Sequence, residues 1–79
     1  MENFNLKMRY LLDSGNEEVE IVSFDGNRDL KVSLYEKGFF PGNNIRVISS
    51  SGEQYILGLD NIRFGVRKEI VEKIRVKRK

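Results

Sequence analysis

A chain of 79 residues has room for one hydrophobic core, and 39% hydrophobic residues, with five Phe and three Tyr among them, are enough to build it. Neither Cys nor His occurs, which excludes disulfides, thiolate and imidazole metal sites, a cysteine nucleophile and the commonest general base. The net charge of +2 conceals a polarity: through Gly42 five Lys and Arg face eight Asp and Glu, and beyond it nine face four, so the two parts carry −3 and +5.

Met1 to Tyr10 mixes polar and apolar residues without clear alternation. A short strand, a loose extension and a leader segment all stay open for it, and no site is assigned there. Leu11-Leu12 then run into Asp13-Ser14-Gly15-Asn16, a dense turn signal. Glu18 to Phe24 alternates through Val19 and Ile21, the period-two pattern of a half-buried strand. It stops at Asp25-Gly26-Asn27, whose Asp and Asn side chains suit the free amides of a first helical turn. A short helix is expected over Arg28 to Lys37, where no Gly or Pro intervenes and Leu30 and Leu34, four apart, share the inward face. Gly38 stands where helices commonly end in a left-handed residue, and Phe39 is placed to fold back over that end.

Pro41-Gly42 has the chemistry of a type II turn. Beyond it Ile45–Ser49, a Ser50-Ser51-Gly52 loop, Gln54–Leu59, an Asp60-Asn61 turn and the alternating Ile62, Phe64 and Val66 read as strands joined by hairpins. Lys68 to Glu72 suits one irregular turn before a closing strand, Ile74-Arg75-Val76. About five short strands with one short α-helix after the first core strand predict a mainly β fold, a small barrel in which closure removes exposed edges. Residues 1–79 are expected to form a single domain with its core at about 19–76, with 1–16 and 77–79 tied to it less firmly. The cations Arg75, Lys77, Arg78 and Lys79 read first as a solvated, frayed end. No apolar run approaches the roughly 18–20 residues of a membrane helix, and the amino terminus lacks a signal-peptide stretch, so the expected location is cytoplasmic, without membrane insertion.

Four residues stand out as partner contacts. Tyr35 and Val32 fall on the helix side away from Leu30 and Leu34, and an exposed aromatic is a common interface anchor. Phe39 and Phe40 are adjacent and cannot both point inward on an extended chain; Phe39 is expected in the core and Phe40 at the surface. Arg67 is a supporting candidate, although an Arg there is more often bonded to a carbonyl or carboxylate. Glu17, Glu18 and Glu20 form an acidic cluster with the look of a solvated strand face, and an all-carboxylate site there would be a weak and unselective one for a transition metal. No phosphate-binding Gly loop and no nucleophile beside a base is present. The chain reads as a binding module and not an enzyme, with no cofactor and no resident metal.

Asp25-Gly26-Asn27-Arg28-Asp29-Leu30, Leu34-Tyr35-Glu36 and Gly38-Phe39-Phe40-Pro41-Gly42, followed by Phe64-Gly65-Val66-Arg67 with Val71, Ile74 and Val76, resemble the FeoA family in order and spacing over about Val19 to Val76. Two positions depart from its pattern: Lys37 stands where the family usually has an apolar residue, and Gly65 where it often has another small one. The resemblance implies an SH3-like β-barrel, a cytoplasmic accessory role in ferrous iron transport and association with FeoB, the membrane transporter with a cytoplasmic GTP-binding domain. It leaves self-association open. The same barrel closes DtxR-type metal-dependent repressors, so a stand-alone regulatory domain is one alternative. Others are a nucleic-acid-binding small barrel, disfavoured because aromatic and basic residues form no stacking strip, and a binder of Pro-rich peptides.

Overall fold

The computed structural model describes residues 8–79; most of the opening segment, residues 1–7, lies outside the described part. Six strands are present: β1 (Met8–Tyr10), β2 (Val19–Phe24), β3 (Asn44–Ser51), β4 (Gln54–Leu59), β5 (Ile62–Arg67) and β6 (Ile74–Arg78). They pair antiparallel in the order β1-β6-β2-β3-β4-β5. A 3₁₀ turn, Leu11–Ser14, follows β1; the helix α1 (Arg28–Glu36) connects β2 to β3, and the single-turn α2 (Lys68–Val71) connects β5 to β6. The architecture is a small SH3-like β-barrel.

β3 belongs to both halves of the barrel. Its first residues pair with β2, Ile45 opposite Val19, and the rest pair with β4, from Arg46 opposite Gly58 to Ser51 opposite Gln54. Register shifts between Ile21 and Ser23 and between Val47 and Ser49 let the sheet bend around its contents, because an extra residue kinks and twists a strand. The fill comes from inward residues at alternate positions: Val19 and Ile21, Ile45 and Val47, Leu57 and Leu59, and Ile74 and Val76 are all buried. Leu11, Leu34, Phe39 and Val71 plug the ends from outside the strands.

Several expectations change. Strands number six because β1 forms along β6, Met8 opposite Lys77. Leu11, outside the expected core, is fully buried. Among the described residues β1 and β5 do not pair with each other, so the sheet keeps two free edges instead of closing. Ile62 leads an apolar alternation but is 54% exposed, because it directly follows the Asp60-Asn61 turn at the rim. Lys77 and Arg78 belong to β6 and are not frayed: Lys77 lies 3.9 Å from Glu20, Arg78 bonds Glu17 at 3.2 Å, and Lys79 approaches Glu18 to 3.7 Å. The acidic cluster and the basic end, far apart in sequence, are each other's partners.

Candidate functional site

The local chemistry of one loop positions the most prominent exposed apolar feature. Asn27 caps α1, its Oδ1 accepting from the Leu30 N–H at 2.9 Å. At the other end Gly38 takes φ +98°, its N–H donates to the Tyr35 carbonyl at 3.0 Å, and the Phe39 N–H donates to the Leu34 carbonyl at 3.0 Å. This is a Schellman ending, which brings an apolar residue just past the helix back against the last turn; here Phe39 and Leu34, both buried, are that pair. Immediately after, the Asn43 N–H closes the Pro41-Gly42 turn on the Phe40 carbonyl at 3.0 Å, with Gly42 at φ +99°. The chain reverses so tightly that Phe39 points in and Phe40 points out.

Phe40 then lies against Tyr35, ring centroids 5.7 Å apart and planes at 61°, and Tyr35 lies against Phe24 at 6.0 Å and 60°. Both are edge-to-face contacts, the arrangement that aromatic quadrupoles favour. Phe24 is buried, whereas Tyr35 and Phe40 are 43% and 46% exposed. An aromatic row thus runs from core to solvent, Tyr35 resting on Phe24 and Phe40 on Tyr35. Val32, three residues before Tyr35 on the same helix side, is also 46% exposed and extends the apolar surface. The inward face of α1 is narrower than its sequence suggests: Leu34 is buried, but Leu30 is only partly so, packed beside Gly26 at the barrel rim.

Arg67, the fourth residue singled out in the sequence, is separate from this row. It ends β5 opposite Gln54 and precedes α2, exposed, and among the described residues it makes neither the expected carbonyl bond nor an ion pair.

A second cluster joins three strand ends. Tyr10 Oη donates to Asp25 Oδ2 at 2.7 Å, Arg75 Nε donates to Asp25 Oδ1 at 3.0 Å, and the Arg75 guanidinium lies 4.8 Å from the Tyr10 ring centroid. The Tyr10 hydroxyl and then Arg75 hold the Asp25 carboxyl below its ordinary range. The same bond to Asp25 raises Tyr10, since ionisation would remove the donated proton. Sequence reasoning missed this cluster. Asp25 looked like a turn residue and Tyr10 lay in an unassigned segment, and no local pattern signals a contact across 50 residues.

An open groove of about 640 Å³ crosses the outer surface near the β4–β5 turn, lined by Glu18, Asn44, Arg46, Ile48, Ile62 and Arg63 among others. Its lining mixes both charge signs with little apolar surface, which suits water better than an organic ligand. Among the described residues no three carboxylates converge as a metal site.

A family model described as the FeoA domain matches residues 8–78. The chain belongs to the FeoA family. Solved structures of similar fold agree with that placement. An iron uptake regulatory protein, FeoA, superposes with a TM-score of 0.78 at 22% identity, covering 89% of this chain and 96% of the other. A FeoA protein from Chlorobium tepidum gives 0.77 at 15% identity, covering 87% of this chain and 69% of its own. A manganese-dependent transcriptional repressor gives 0.80 at 10% identity over 91% of this chain, which spans 42% of the repressor. Among curated proteins no relative matches at the level of sequence. In this FeoA domain the helix ending, the Pro-Gly turn and the two outer rings of the aromatic row are all parts of one connection between β2 and β3, the longest among the described residues, and the inner ring, Phe24, ends β2.

Proposed function

We propose that this FeoA-family protein is a non-enzymatic, cytoplasmic accessory of ferrous iron transport that docks on the cytoplasmic part of a FeoB-like transporter through Val32, Tyr35 and Phe40. The observation that carries the reading is the aromatic row: half-exposed Tyr35 is seated on the buried Phe24, half-exposed Phe40 is seated on Tyr35, and Val32 is exposed on the same side of the helix. Exposed apolar groups held rigid in advance lose little freedom on binding, which is what a protein-docking surface needs. Arg67 stands on another strand and is proposed as a supporting contact only. Among the described residues no helix is long and apolar enough to cross a membrane, so the transporter supplies the membrane-spanning part in this reading.

The test is capture of a FeoB-like transporter, or its cytoplasmic region, by the full chain. Val32→Asp and Tyr35→Asp are expected to weaken capture at least tenfold with a nearly unchanged thermal midpoint, because surface charge disrupts an apolar contact without opening the core. Capture that is indifferent to both changes would place the contact elsewhere.

A further inference from the structure

β5 is an edge strand whose free side has no backbone partner: among the described residues, Ile62–Arg67 pairs only with β4. Its sequence, Ile62-Arg63-Phe64-Gly65-Val66-Arg67, alternates apolar and basic or small residues. Arg63, Gly65 and Arg67 share the outer face and are exposed, and the space a Cβ would take at Gly65 is empty to 4 Å. On the inner face Val66 is buried, Phe64 is half-buried against Phe39, and Ile62 is 54% exposed. Neither Arg63 nor Arg67 has a carboxylate partner among the described residues.

The molecule already contains a strand of this kind with its partner in place. β6, Ile74-Arg75-Val76-Lys77-Arg78, also alternates apolar and basic residues; it lies between β1 and β2, and of these the longer pairing is with β2, preceded by Glu17 and Glu18. There Ile21 lies opposite Val76, and Glu20 lies opposite Lys77 with their charged groups 3.9 Å apart. On its β2 side, then, a basic, apolar alternation is matched by a strand whose carboxylate meets its lysine. β5 presents the first half of that arrangement with the second half missing. A second copy of β5 does not supply it: Ile62–Arg67 contains no carboxylate, and in the register centred on Gly65 Arg63 of one copy would stand opposite Arg67 of the other, where like charges are unfavourable.

We infer that the free edge of β5 receives an extended segment of a partner protein as an additional antiparallel strand, with carboxylates at alternate positions toward Arg63 and Arg67 and apolar residues over Ile62 and Phe64. The added strand would supply main-chain hydrogen bonds, and the alternation would set its register, as in other strand-addition modes. This contact shares Arg67, the supporting residue proposed above, but none of the α1 surface residues Val32, Tyr35 and Phe40.

The probe is a fluorescein-labelled peptide, Ser-Glu-Val-Glu-Ile-Glu-Val-Glu-Ser, titrated into the full chain and followed by anisotropy and by amide chemical shifts. Saturable binding with the largest shifts at residues 62–67 is expected. The double variant Arg63→Glu/Arg67→Glu should bind at least tenfold more weakly, keep its thermal midpoint, and gain affinity for the peptide with Lys in place of every Glu. A peptide with Pro at its centre should lose most of its affinity, and Val32→Asp should bind the original peptide like the parent. Absence of saturable binding, shifts centred on α1 or β1, unchanged binding by the double variant, or equal affinity of the Pro peptide would each overturn the inference.

Discussion

Leu34 and Tyr35 are neighbours in sequence with opposite fates, and the difference is measurable. Leu34 is buried behind Phe39, so Leu34→Ala is expected to cost about 2–5 kcal/mol, the range for truncating a core leucine. Tyr35→Ala, losing edge contacts and little buried area, should cost clearly less, and Leu30→Ala should fall between them because Leu30 is only partly covered. Denaturant melts of the three variants rank them, and an equal loss for Tyr35→Ala and Leu34→Ala would mean that the helix is turned the other way. Asp25 gives a pH-dependent case. Its folded-state pKa is depressed, so its contribution is present above the ordinary value of 3.8 and is lost as pH falls through the lower folded value. The midpoint advantage of the parent over Asp25→Asn should therefore hold from pH 7 to about pH 5 and shrink toward pH 2. An advantage that stays constant across that range would mean that the carboxylate's charge is irrelevant to the cluster.

At the scale of elements, the parts readable from sequence were those with local causes. The alternation in Val19–Phe24 and Gln54–Leu59, the Asn27 cap, the Gly38 ending and the Pro41-Gly42 turn each arise within a few residues, and each stands where its local chemistry puts it. The inward Phe39 and outward Phe40 were readable for the same reason. What escaped depends on distant contacts. β1 is three residues long and exists because β6 offers it an edge, the bulges in β2 and β3 serve the bend of the whole sheet, and Lys77 and Arg78 are ordered by strand pairing and by glutamates near β2. The aromatic row was half readable: Tyr35 and Phe40 were identified one by one, but the contact of Tyr35 with Phe24 and of Phe40 with Tyr35 needs the helix and turn to be folded. Truncation after Val76 tests the reassignment of the basic end. It removes the pairings of Lys77 with Met8 and Glu20 and of Arg78 with Val19. The expected loss is about 1–3 kcal/mol, from hydrogen bonds at about 1 kcal/mol each with a minor addition from exposed ion pairs. A truncated chain as stable as the parent would return these residues to a frayed end.

For the whole molecule, charge distribution bears on the choice of partner. The +5 of the second part suggests affinity for nucleic acid when read along the sequence, but in the fold Arg75, Lys77, Arg78 and Lys79 face Asp25, Glu20, Glu17 and Glu18. Cations already matched by carboxylates release few counterions on meeting phosphates, so no retention of DNA or RNA is expected at physiological salt. Electrophoretic retention persisting at that salt would reinstate the nucleic-acid reading. The adjacency of β1 and β6 has a mechanical consequence. Met8 pairs with Lys77, so the two ends of the described chain leave the barrel side by side at the same end of an antiparallel ladder. A load applied between them falls first on that terminal pair and then on Arg9 with Val76, opening the ladder like a zipper instead of shearing all its bonds together. Tethered by its ends, this barrel should yield at low force, peeling from the seam where its first and last strands meet.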